Sequence, residues 1–133
     1  MEFAELIQKA KEAKKQAYAP YSGFHVGAAL LCKDGTIFTG CNIENSAYGP
    51  TNCAERTAIF KAVSEGFREF EAIAIISDSK QPTAPCGVCR QVMAEFCDPE
   101  TFRIVLMNGD GEIRDYLLKE LLPLGFTGKA LEK

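Results

Sequence analysis

Apolar and polar residues alternate with two different periods along this chain. Phe3, Leu6, Ile7, Ala10, Ala13 and Ala17 recur at helical spacing with charges on the opposite face, which predicts an amphipathic helix over 3–17. "APYSG" at 19–23 breaks it. The stretch "HVGAALLCKDGTIFTGCNI" reads as two strands that meet at Asp34-Gly35, a dipeptide suited to a hairpin turn. "ENSAYGPTN" (44–52) is a loop, and a helix is expected from about 53 to 65, capped by Asn52 or Thr51 and stopped by Gly66.

The run "FEAIAIISD" (70–78) is almost continuously apolar, as in a strand buried on both faces. "SKQPTAP" is a loop, "CGVCRQVMAEFC" (86–97) a second helix and "FRIVLMN" another buried strand. A weaker strand follows at 112–116, and "LLKELLPLGF" ends in a helical turn broken by Pro123. The order α-β-β-α-β-α-β-β-α predicts an α/β sheet covered on both faces. No repeat, linker or low-complexity segment divides the sequence, and 133 residues fit a single domain over 1–133.

Charge narrows the choice of partner. The net charge is −3, and the densest basic cluster (Lys9, Lys11, Lys14, Lys15) is interleaved with Glu5 and Glu12, as on a solvated helix face. A nucleic-acid binder would carry a basic stripe, so a small non-polymeric partner is expected. No segment approaches the roughly 20 apolar residues of a membrane span, and the N-terminal stretch has no signal-peptide pattern, so a cytoplasmic location and no membrane partner are expected. In that setting the six cysteines point to metal or catalysis rather than disulfides.

Cys86 and Cys89 have C-x-x-C spacing at a helix start, where residues three apart share a face and free N–H groups stabilise thiolates. Cys53 opens the other helix in the same way. Three thiolates would hold Zn²⁺ with its fourth position open, and water there has its pKa lowered to about 7. Glu55 follows Cys53 by two residues, within reach of that water without being a ligand.

Duller readings exist for each residue. Cys32, Cys41 and Cys97 lie in or beside apolar runs and read as packed thiols. His25, the one histidine, reads as structural. Asn42 and Glu44 alternate around Ile43 and share a strand face, which solvent exposure explains equally well. A closed structural zinc site with Cys41 or Cys97 as fourth ligand would have no use for Glu55, and a redox dithiol of Cys86 and Cys89 would leave Cys53-Ala54-Glu55 unexplained.

C-A-E followed by P-C-x-x-C matches the signature of zinc nucleobase deaminases, with cysteine where that signature has histidine. "NCAERTA" and "PCGVCRQV" resemble the zinc motifs of cytidine deaminases, "GCNIENSAYG" their ribose-binding strand and loop, "APYSGFHVGAAL" their N-terminal strand and "ELLPLGF" their C-terminal segment. The similarity covers nearly the whole chain and is to the short form with three cysteine ligands. It implies a three-layer α/β/α fold with a mixed central sheet of about five strands. It implies that Cys53, Cys86 and Cys89 bind one zinc per subunit and that Glu55 moves protons in hydrolytic deamination at C4 of cytidine and deoxycytidine. Asn42 and Glu44 would bind the ribose, Phe24 would stack on the pyrimidine, and Ser46, Tyr48 and the backbone around Ala54 would complete the pocket. Phe126 would approach from a neighbouring subunit of a homotetramer. Three thiolates leave the zinc site with net negative charge, so an adjacent arginine, Arg56 ahead of Arg90, is expected to offset it.

Overall fold

Helix α1 (Ala4–Lys14) precedes a hairpin of strands β1 (Val26–Cys32) and β2 (Ile37–Cys41). Helix α2 (Ala54–Ser64), strand β3 (Phe70–Ser77) and helix α3 (Gly87–Phe96) follow, then strands β4 (Arg103–Met107) and β5 (Ile113–Leu117) and the single turn α4 (Leu118–Leu121). The computed structural model describes residues 3–131. The strands form one mixed sheet in the order β2-β1-β3-β4-β5, with β3 and β4 parallel and the other pairs antiparallel.

The pleat sends alternate residues of β3 to two different cores. Ala72, Ala74 and Ile76 pack with Ala29 and Val105 under Phe3, Leu6, Ile7 and Ala10 of the α1 layer. Ile73 and Ile75 pack with Leu30, Ile104 and Leu106 under Ala58, Ile59 and Ala62 of α2 and Cys89 and Met93 of α3. This is the three-layer α/β/α arrangement with a mixed five-stranded sheet.

Two glycines set how closely the layers approach. A Cβ at Gly27 would press on the Ala10 carbonyl and lie 2.5 Å from Lys14 N, so β1 can sit directly under α1 only without one. A Cβ at Gly40 would lie 2.5 Å from Ala54 O and 2.6 Å from Ala58 N, so β2 likewise seats the first turn of α2.

Two expected boundaries move. Helix α1 ends at Lys14 rather than at 17, because Tyr18 pairs with the chain after β2: its N–H donates to Asn42 O at 2.9 Å and its carbonyl accepts from Glu44 N at 2.8 Å. The N-cap of α2 is Cys53, not Asn52 or Thr51. Asn52 exchanges both backbone hydrogen bonds with Ile43, at 2.9 Å each, and so cannot turn into the helix.

Strands β2, β3 and β4 run in one direction, so their carboxyl ends lie at one edge of the sheet, beside the start of β1. Open α/β sheets hold ligands outside such an edge. Among the described residues no helix is long and apolar enough to cross a membrane.

Candidate functional site

The N-termini of α2 and α3 bring Cys53, Cys86 and Cys89 together at this edge, with all three sulfur atoms within 4.8 Å of one another. Both N-cap positions are cysteines in extended conformation, Cys53 at ψ 156° and Cys86 at ψ 167°. Cys86 Sγ accepts from Cys89 N at 3.5 Å, which turns both α3 sulfurs to one side. Cys53 Sγ and Cys86 Sγ are 3.7 Å apart. Bonds of about 2.3 Å to a tetrahedral zinc place neighbouring sulfurs about 3.8 Å apart, so this donor set fits zinc in both chemistry and spacing. Among the described residues Cys41 and Cys97 lie outside the cluster, which leaves three sulfur ligands.

The thiols do not share charge equally. Cys89, which donates to Cys53, and then the Arg56 guanidinium hold the Cys53 thiol well below its ordinary value against the effect of its burial. Cys89 is pushed up by the same contact and by burial. Arg56 Nη2 donates to Cys53 Sγ at 3.2 Å, while its buried Nε has no acceptor among the described residues. Arg90 is directed elsewhere: Nε donates to Pro85 O and Nη1 to Leu121 O, both at 2.7 Å.

Glu55 occupies the first turn of α2 and is 5% exposed. Burial pushes its carboxyl up to about 7, and the Cys53 sulfur adds to the push. A carboxyl of that kind, beside a three-thiol cluster, can take and give protons near neutral pH.

Asn42 and Glu44 form a second group around the segment that leads into β1. Asn42 Nδ2 donates to Phe24 O at 2.8 Å, and its Oδ1 accepts from Val26 N at 2.9 Å. Glu44 Oε1 accepts from Tyr21 N at 3.0 Å and Ser22 N at 3.1 Å, and Oε2 accepts from Ser22 Oγ. These bonds hold the Glu44 carboxyl below its ordinary value, the Ser22 hydroxyl most of all. The two polar side chains on the Ile43-flanked face are therefore engaged with the chain.

The remaining expected residues are spread out. Ala54 is fully buried at the start of α2. Ser46 is exposed on the 44–52 loop, and Tyr48 projects from it at 90% exposure. Phe126 is an exposed ring whose carbonyl accepts from Gln91 Nε2 of α3 at 2.8 Å. His25 faces Asp78, with Nδ1 2.8 Å from Oδ2. Sequence reasoning passed over Ser22, Thr57 and Asp78. Thr57 Oγ1 lies 3.1 Å from both Cys41 O and Cys53 O and accepts from Asn52 Nδ2 at 3.0 Å, so it ties the end of β2 to the first thiol of the cluster. Its place four residues after Cys53 is the only sequence signal for that role.

Residues 2–105 match the family model described as the cytidine and deoxycytidylate deaminase zinc-binding region. A cytidine deaminase of Sporosarcina psychrophila is 54% identical over 131 residues, which cover 98% of this chain and 96% of the relative. One from Halalkalibacterium halodurans is 56% identical over 124 residues, covering 93% of each. The crystal structure of cytidine deaminase from Burkholderia pseudomallei superposes with a TM-score of 0.91 at 52% identity, covering 95% of this chain and all of that one. With three thiols clustered at the N-termini of two helices and a buried glutamate beside them, the chain belongs to the cytidine and deoxycytidylate deaminase family.

Proposed function

We propose that this protein hydrolyses free cytidine and deoxycytidine to uridine and deoxyuridine with release of ammonia, as a cytoplasmic enzyme of pyrimidine salvage. The observation that carries the reading is Glu55, a buried carboxyl in the helical turn that follows a thiol of a three-thiol cluster and is not itself part of that cluster. The full-length similarity to proteins named cytidine deaminase supports it, and the net charge of −3 favours a free nucleoside over a polynucleotide. Residues 1–133 act as one catalytic domain.

Cys53, Cys86 and Cys89 would hold one Zn²⁺ per subunit. The ion would supply Lewis acidity, lowering the pKa of water in its open position to about 7. Glu55 takes a proton from water and delivers it to N3 of the pyrimidine, which makes C4 more electrophilic. The water oxygen adds at C4. Glu55 delivers the second proton to the amino nitrogen, the C–N bond breaks, ammonia leaves and the C4 carbonyl remains. Arg56 offsets the negative charge of the thiolates through its bond to Cys53 Sγ. Asn42 and Glu44 hydrogen-bond the ribose hydroxyls and Phe24 stacks on the base. Ser46, Tyr48 and the backbone at Ala54 close the pocket, and Phe126 reaches it from a neighbouring subunit of a homotetramer.

Ultraviolet absorbance is followed on adding cytidine, with cytosine, adenosine and cytidine monophosphate as controls. Loss of cytidine alone, abolished in Glu55→Ala with zinc content unchanged, is the expected result. A zinc-loaded protein that leaves cytidine intact would overturn the reading.

A further inference from the structure

The segment from Phe24 to Val26 enters β1 with every backbone polar group on its sheet-edge side bound by a side chain or a strand end. Phe24 N donates to Ser22 Oγ at 3.0 Å and Phe24 O accepts from Asn42 Nδ2 at 2.8 Å. His25 N donates to Asp78 Oδ2 at 2.9 Å, and His25 O accepts from Asp78 N at 3.2 Å. Val26 N donates to Asn42 Oδ1 at 2.9 Å. Asn42 and Asp78 thus fix the two peptide units that follow Phe24, while Ser22 holds the one before it. Asn42 already has a place in the proposed pocket, while Asp78 has none.

Asp78 is well suited to the task. It directly follows Ser77, the last residue of β3, which is 1% exposed and pairs with Val26. Its carboxylate is held from the other side, because Lys14 Nζ of α1 donates to Oδ1 at 2.8 Å while the His25 ring and His25 N both bind Oδ2. The group that orients the segment is therefore itself oriented by a second helix. A stacking ring gains only if its plane is set before the base arrives, since misplacement by a fraction of an ångström is paid in binding.

We infer that Asp78 is a positioning residue for the substrate pocket: through the His25 backbone it sets the Phe24–Val26 segment, and with it the ring that meets the base. This rests on the proposed role of Phe24. Asp78 does not touch the reacting atoms, so its loss weakens substrate binding and spares the chemical step.

The test uses the zinc-loaded full chain in four forms, Asp78→Ala, Asp78→Glu, Asp78→Asn and Lys14→Met, with cytidine varied and amide hydrogen exchange read over residues 22–31 without substrate. In Asp78→Ala, KM should rise about tenfold while kcat stays within about twofold. Exchange at His25 and Val26 should quicken, with zinc content unchanged. Asp78→Asn keeps an oxygen for His25 N–H and should bring KM back to within about threefold of the unaltered protein, whereas Lys14→Met, which removes one hold on the carboxylate and leaves its bond to His25 N, should raise KM by less than Asp78→Ala does. The inference falls if KM is unchanged in Asp78→Ala, or if kcat, KM and melting temperature deteriorate together. Should Asp78→Ala not fold, Asp78→Glu, which keeps the charge and displaces the oxygens by one methylene, decides by the same criteria. An unaltered protein inactive on cytidine would sink the functional reading; unchanged exchange in Asp78→Ala would sink this one.

Discussion

Arg56 stands three positions after Cys53 on α2 and donates from Nη2 to that residue's sulfur at 3.2 Å. One turn of helix thus carries both a thiol and the cation that faces it. Arg56→Gln should bind zinc about tenfold to a hundredfold more weakly, as partners of metal ligands usually do. Competition with a chromophoric chelator measures this. Equal affinity in the two proteins would remove Arg56 from the site.

Metal removal should cost stability, because the cluster joins α2 to α3 and an unfolded chain holds zinc less well. Saturation at about a thousand times the dissociation constant stabilises by about 4 kcal/mol, and each kcal/mol moves the melting temperature of a domain this size by about 4 °C. Stripping zinc should therefore lower the melting temperature by more than about 10 °C. A chelator without effect on a zinc-loaded sample would argue against three protein ligands.

Gly40→Ala should destabilise the protein by about 1–3 kcal/mol, the usual cost of overpacking. The new Cβ would meet backbone atoms, Ala54 O at 2.5 Å and Ala58 N at 2.6 Å, and backbone cannot swing aside as a side chain can. Urea denaturation measures the loss. Because α2 must move to admit the methyl, zinc affinity should fall as well, and a variant with both properties intact would contradict the close approach.

Acid should weaken one specific contact. Lys14 first, then the His25 backbone and ring, hold the Asp78 carboxyl at about 2, below its ordinary 3.8. Lys14 from α1 and His25 from the entry to β1 are the charged or titratable groups bound to it. A depressed carboxyl stabilises the fold above its unfolded value and loses that contribution as pH falls through the folded one. With the side chain 37% exposed, the contribution is about 1 kcal/mol after allowance for solvent screening. The stability difference between the unaltered protein and Asp78→Asn should be flat from neutral pH to about 5 and shrink between about 4 and 2. A difference that persists unchanged at the acid end would count against the pairing.

The strands of the middle of the chain were legible because Phe70–Ser77 and Arg103–Met107 are apolar runs too short for helices and too apolar for an exposed face. The Cys86 and Cys89 pairing was legible because one helical turn decides it. What escaped depends on distant partners. The cap of α2 moved to Cys53 because Asn52 is bound to Ile43 across the loop. Ser22 meets Glu44 from 22 residues away and Asp78 meets His25 from 53, and neither spacing has a local signature. Asp78 could have been noticed in one way: it is the acidic residue directly after a buried strand, at the sheet edge outside which open α/β sheets hold ligands.

Helix α3 carries two thiols of the cluster at its start, and the next two side chains, Arg90 and Gln91, grip the carbonyls of Leu121 and Phe126. The thiol cluster and the C-terminal segment are thus fastened to neighbouring points on a single lever. A fluorine nucleus placed on the Phe126 ring would then report metal loading through the helix, its resonance shifting as α3 reseats.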